Sequence, residues 1–171
     1  LEFERKAATA FDRVLLVSPA EAELFRRRAP ESAGTTDYYS NGVDSAYFTP
    51  QAQASPYGTD RAIVFTGAMD YEPNIDAVGW FAERVMPSLG QQHPELEFHI
   101  VGSRPTAQVR ELQRLPGVHV SGTVPDVRPY LQHALAVVAP LRLARGVQNK
   151  VLEAMAMARP VVCAASCAEA I

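Results

Sequence analysis

Cysteine is scarce in this chain. Only Cys163 and Cys167 occur, too few for a disulfide framework or a cysteine-based zinc site. Cys163 falls in an apolar run and reads as a small core hydrophobe. So little thiol makes a reducing, cytoplasmic setting the default expectation. Long hydrophobic runs are missing as well. None approaches the ~18 consecutive apolar residues of a bilayer span. Surplus positive charge is absent: 16 Lys and Arg stand against 19 Asp and Glu, a formal net charge of −3. That gives no electrostatic case for nucleic acid as a partner. No internal repeat or low-complexity tract is visible.

What remains is ordinary for a globular protein, 47% hydrophobic and 20% charged over 171 residues. That length suits one domain with a proper core, or one domain with a piece of another. Leu1 to Phe11 reads as weakly helical and Arg13 to Val17 as a strand. Ser18-Pro19-Ala20-Glu21 is a helix start. Ser18 caps, Pro19 suits the first position and Glu21 completes a capping box. Arg26, Arg27 and Arg28 end that helix and complement its dipole. Thr35 to Ser40 reads as a strand closed by the Asn41-Gly42 turn. Gln51 to Asp60, rich in Pro, Ser, Ala and Gly, reads as a linker.

From Ala62 onward strands and helices alternate. AIVFT (62–66), EFHIVG (97–102), VHVS (118–121), ALAVVAP (134–140) and PVVCA (160–164) are the predicted strands. Ile75, Val78, Ala82, Val85, Met86 and Leu89 recur at helical spacing. Ser103-Arg104-Pro105 is read as opening the next helix, and Asp126 as capping the one after. Asn149 to Met157 is a fourth helix, with Val151, Leu152, Met155 and Ala156 on one face. The alternation predicts an α/β domain, a Rossmann-like parallel sheet with helices on both faces. Ligands of such sheets sit beyond the carboxyl ends of the strands. The loop after Thr66 lacks the three-glycine dinucleotide fingerprint. Its Gly67 either lets backbone approach a ligand or makes the turn. Arg104, on a loop at the same edge, is a phosphate contact or an exposed surface residue. His99, in a buried-looking strand, reads as a satisfied core histidine rather than a catalyst.

The stretch GVQNKVLEAMAMARPVV (146–162) resembles the signature of retaining glycosyltransferases of family 4, the glycosyl transferases group 1. That signature has two glutamates eight positions apart, then an alanine-methionine pair, a small residue and PVV. Glu153, Ala154, Met155, Pro160, Val161 and Val162 match it. The first glutamate position holds Arg145. The QNK variant looks most like a bacterial exopolysaccharide subgroup. NGVDSAYFTP (41–50) resembles the family's junction between its two domains, through Asn41, Gly42, Val43, Asp44, Phe48 and Pro50.

The resemblance implies one half of a GT-B fold. Residues 1–50 are expected to be the tail of an N-terminal domain and the junction, 51–60 a linker, and 61–171 a nucleotide-sugar-binding domain cut short at its end. A closing helical region is expected beyond Ile171, and most of a partner domain before Leu1. The implied activity is hexosyl transfer from a UDP-, GDP- or ADP-linked sugar to a glycan or lipid-linked acceptor. The acceptor site would lie mostly in the missing domain, leaving this piece inactive alone. Two alternatives stay open, a nucleotide-sugar epimerase on the same plan and a lapsed interaction module. The implied setting is cytoplasmic, at the inner membrane face for the whole protein, and the exposed domain interface could pair two copies of the piece.

By the same resemblance Glu153 takes the ribose diol, where a carboxylate accepts two charge-assisted hydrogen bonds. The N–H groups around Gly146, Val147, Gln148 and Asn149 suit a diphosphate at a helix start. Lys150, Arg145 and Arg142 can supply positive charge to the leaving nucleoside diphosphate. Thr123 and Val124 are placed to line the base through backbone groups. No cofactor and no metal are required by this scheme. Arg145 has two readings, a contact to the diphosphate or to an anionic sugar, or the mark of a weak or inactive member; the polar QNK run favours the first.

Overall fold

Alternation along the strand Ala62–Thr66 divides the protein into two cores. Ile63 and Phe65 point to one face of a sheet, Ala62 and Val64 to the other, and all are buried. This follows from the two-residue period of a strand. The computed structural model describes residues 1–143 and 146–169. Arg145, the candidate at the first-glutamate position, lies outside the described residues.

The chain begins with α1 (Glu2–Ala10), β1 (Val14–Leu16), α2 (Pro19–Arg28) and β2 (Thr36–Tyr38). β1 and β2 pair in parallel as a separate two-stranded sheet. Ser18 caps α2 as its sequence implies: its Oγ accepts from the Glu21 N–H at 3.2 Å. Next come β3 (Ala62–Thr66), α3 (Glu72–Trp80), α4 (Met86–Gln92), β4 (Glu97–Val101) and α5 (Ala107–Glu111). β5 (Val118–Gly122), α6 (Arg128–His133), β6 (Ala136–Ala139), α7 (Asn149–Ala156), β7 (Val161–Cys163) and α8 (Ala165–Ala168) follow. The five strands from β3 onward form one sheet in the order β5-β4-β3-β6-β7, parallel throughout. It is the α/β fold that the strand-helix alternation predicts.

α3 and α4 form one helical run interrupted at Phe81–Val85 by a wider, π-type turn. Pro87 supplies the reason. It has no N–H for the Glu83 carbonyl and its ring crowds that carbonyl, so the ladder loosens just before it. The run packs its Ile75, Val78, Phe81, Ala82 and Met86 against Phe65, Phe98 and Ile100 of the sheet. Burying each of those large side chains contributes roughly 1.5–3 kcal/mol. The opposite face is closed by Leu131 of α6, and by Ala154 and Met157 of α7 and its end.

Three local expectations are corrected. The α7 face that packs is Val151 and Ala154, while Met155 is 55% exposed. A small alanine lets the helix approach the sheet closely, and the flexible Met155 is left outside. α5 starts after Thr106, whose Oγ1 accepts from the Val109 N–H, not at Ser103. Asp126 precedes the cap position of α6, which is Val127, yet its carboxylate still accepts from the Arg128 N–H at 2.9 Å.

The segment 51–60 is stitched to α6. Gln132 exchanges two hydrogen bonds with the Gln51 backbone, at 2.8 and 2.6 Å. The Tyr57 hydroxyl donates to the Tyr130 carbonyl at 2.6 Å. No described helix is long and apolar enough to cross a membrane.

Candidate functional site

Chain order reverses between β3 and β6, and at that switch point the sheet opens into a cleft of about 600 Å³. Such a crevice is where the loops after neighbouring strands diverge to opposite faces. Thr66 and Gly67 enter it from the end of β3, and Val101, Gly102 and Ser103 from the end of β4. Thr123 and Val124 line it after β5, and Val147 to Lys150 with Glu153 from the start of α7. Asn41, from the junction segment, closes it at the front: its Nδ2 donates to Asn149 Oδ1 at 3.0 Å.

Glycine is needed where the β3 and β4 loops meet. A Cβ on Gly102 would stand 1.6 Å from the Gly67 carbonyl oxygen. One on Gly67 would stand 2.8 Å from Asn74 Nδ2 and 3.2 Å from Lys150 Nζ. The Gly67 N–H donates to the Val101 carbonyl at 3.1 Å. Gly67 therefore makes the turn and also frees space in the cleft.

Among the described residues, Lys150 is the cation that lines the cleft. It is half-buried on the first turn of α7. Its Nζ donates to Asn74 Oδ1 at 2.7 Å and stands 4.0 Å from the centre of the Phe65 ring. Burial lowers its pKa to about 8, and the neighbouring Cys167 and Glu153 pull in the other direction. Asn74 is in turn held by its Nδ2, which donates to the Ala68 carbonyl at 2.9 Å. Glu153 lies one helical turn beyond Lys150 on the same lip. Burial raises its pKa and Lys150 lowers it. Thr66, only 4% exposed, also lines the cleft, and its buried hydroxyl has no hydrogen-bond partner among the described residues.

Eight of the sequence-derived candidates thus come together: Gly67, Thr123, Val124, Val147, Gln148, Asn149, Lys150 and Glu153. Three are placed elsewhere. Gly146, with φ +68°, packs toward Val17 and Glu21, where a Cβ would lie 3.0 Å from Val17 Cγ2. Arg104 forms a two-pronged ion pair with Asp70 and is 67% exposed, outside the cleft lining. Arg142 likewise pairs with Asp76. The sequence reading missed Thr66, Tyr71, Asn74 and Ser103. Only Asn41 carried a signal, as part of the NGVD junction.

A parallel sheet with a polar cleft at its switch point is the plan of a ligand-binding α/β domain. The sequence adds the family: the model for glycosyl transferases group 1 matches residues 60–171. The chain belongs to that family. No curated protein matches the sequence. Among solved structures, Anabaena HepE in complex with UDP and glucose superposes on 98% of this chain and 49% of its own, with TM-score 0.69 and 17% identity. The pneumococcal O-GlcNAc transferase GtfA, in complex with UDP and GlcNAc, covers 94% of this chain and 31% of its own, with TM-score 0.68 and 13% identity. WaaG, a glycosyltransferase involved in lipopolysaccharide biosynthesis, covers 91% and 45%, with TM-score 0.62 and 15% identity. At these identities the likeness is one of fold, that of GT-B glycosyltransferase halves. The chain spans about half or less of each of those proteins.

Proposed function

We propose that this chain is the donor-nucleotide half of a retaining glycosyltransferase. It would hold a nucleotide sugar from which a hexosyl group passes to a glycan or lipid-linked acceptor. The observation that carries the reading is the pair Lys150 and Glu153, a cation and a carboxylate one turn apart on one lip of the switch-point cleft. A nucleoside diphosphate carries the matching groups, an anionic diphosphate beside a ribose diol. Glu153 accepts from the two ribose hydroxyls, and charge assistance strengthens both bonds. Lys150 and the α7 N-terminus face the diphosphate. As the bond from the sugar to the nucleoside diphosphate breaks, negative charge grows on the leaving phosphate oxygen, and a fixed cation there lowers the barrier. Thr123 and Val124 border the base, and Gly67 leaves room for the donor beside Lys150. Arg145, next to Gly146 in the sequence, is a further source of positive charge, and no metal is needed for that role.

Family membership supports the reading, as do the UDP complexes of two proteins of like fold. The lipopolysaccharide role of WaaG favours an envelope glycan as the product, with the whole protein working at the inner membrane face. The acceptor is held mainly by a partner domain, so the 171-residue chain alone transfers no sugar. The test incubates the full-length protein with radiolabelled UDP-, GDP- and ADP-sugars and membrane lipid extract. Label moving into glycan or lipid from one donor, and lost in Lys150→Met, supports the reading. Transfer by the 171-residue chain alone, or full activity in the variant, contradicts it.

A further inference from the structure

On the first half of β4 and the facing part of β5, three side chains of metal-ligating type converge. Glu97 and His99 stand two residues apart on β4, and a two-residue spacing puts both on one face. His119 lies directly across from His99 in the β4–β5 register. One carboxylate reaches both rings: Glu97 Oε2 is 2.9 Å from His99 Nε2, and Glu97 Oε1 is 3.6 Å from His119 Nε2. One donor atom from each residue lies within 4.8 Å of the others. The imidazoles stack with centroids 4.6 Å apart and planes 17° from parallel. The Tyr57 ring packs 4.6 Å from His99, fixing that imidazole from the 51–60 segment.

We propose that Glu97, His99 and His119 form a binding site for a divalent transition-metal ion of the zinc class. Imidazole nitrogen and carboxylate oxygen suit zinc, which takes both at about 2.0–2.2 Å. Donors bound to one tetrahedral ion lie about 3.4 Å apart, a spacing that small side-chain rotations reach from the observed one. His99 is 14% exposed, Glu97 31% and His119 51%, so two ligands are anchored in the sheet and one side stays open to solvent. The strands supply the preorganisation, since both histidines sit on hydrogen-bonded neighbours rather than on a loop. None of the three residues lines the cleft of Lys150 and Glu153. Its role is to clamp β5, an edge strand, and to hold the 51–60 segment in place through Tyr57. It is separate from the transfer reaction and does not rest on the function proposed above.

The test is titration of the metal-free protein with zinc chloride, followed by calorimetry and thermal denaturation. About one equivalent binds, and the melting temperature rises with zinc. Cobalt(II) gives a ligand-field spectrum without a thiolate charge-transfer band. His119→Gln, at an exposed position that leaves the core intact, weakens zinc binding at least about tenfold and abolishes the thermal shift. Glu97→Gln does the same. The double variant Cys163→Ser, Cys167→Ser binds as the parent does. An unaltered protein that binds no zinc overturns the proposal, as does undiminished binding in His119→Gln and Glu97→Gln.

Discussion

Lys150 Nζ sits between Asn74 Oδ1, at 2.7 Å, and the face of the Phe65 ring, at 4.0 Å. Both neighbours are neutral. The lysine is thus drawn into the cleft and oriented there by neutral groups, with Glu153 the neighbouring carboxylate that favours its charged form. A half-buried cation in that condition is an incomplete electrostatic arrangement that an anionic ligand completes.

The first expectation concerns pH. Burial lowers the Lys150 pKa to about 8, and in the proposed donor site a diphosphate binds its protonated form. Above pH 7 the phosphates are already ionised, so Lys150 governs the profile. Affinity for a nucleoside diphosphate falls as pH rises through about 8, by up to about tenfold per unit. Calorimetric titrations from pH 7 to 9.5 read this directly. Lys150→Met binds more weakly and without that slope. Matching slopes in the two proteins would remove Lys150 from the diphosphate site.

The same group affects stability with a definite sign. Its folded-state pKa, about 8, lies below the ordinary 10.5. Between those values the unfolded chain holds the proton and the folded chain does not. Stability attributable to Lys150 therefore rises with pH across that window and is lowest below pH 8. Urea denaturation of the wild type and Lys150→Met at pH 7 and pH 9.5 should show the variant's stability advantage shrinking at the higher pH. An advantage that stays constant would contradict the assigned burial cost.

Much of the architecture is legible in the sequence. The strands are short apolar runs bounded by Gly, Pro and charged residues, and the Ala62–Thr66 strand has the predicted bounds. The Ser18 cap depends on three consecutive neighbours, so it too could be read. The cleft was less legible because its partners are distant in the chain. Asn74 meets Lys150 across 76 positions, and no local pattern marks either as the other's partner. From its loop position Arg104 reads as a phosphate contact or an exposed surface residue. Asp70, 34 residues earlier, takes it up, and sequence spacing gives no hint of that pairing.

Asn74→Ala should act at two points. It removes the oxygen that anchors Lys150 and the amide that serves the Ala68 carbonyl. Losing these partners in a buried site costs about 1–3 kcal/mol, visible as a lower denaturant midpoint. Nucleotide affinity falls in parallel, because Lys150 loses its fixed position. Unchanged stability and affinity would mean that Asn74 is a bystander.

Gly102→Ala is expected to be far more damaging than a typical surface change. The new methyl would have to occupy space 1.6 Å from the Gly67 carbonyl oxygen, so two strand ends must separate. A destabilisation above about 2 kcal/mol is expected, within the range for overpacked positions. Gly79→Ala, where a Cβ would meet nothing within 4 Å, is the matched control and should be neutral or slightly stabilising. Equal effects of the two substitutions in thermal melts would contradict the close approach of the two loops.

The most direct test of the donor-site assignment is calorimetric titration of this chain with UDP, GDP and ADP, beside a Glu153→Ala variant. A carboxylate that accepts charged hydrogen bonds from a ribose contributes roughly 1.5–3 kcal/mol, or about ten- to a hundredfold in affinity. The account predicts that one nucleotide binds selectively and that Glu153→Ala loses affinity by that factor. Equal binding of a nucleotide by the variant, or no binding of any of the three, would contradict it.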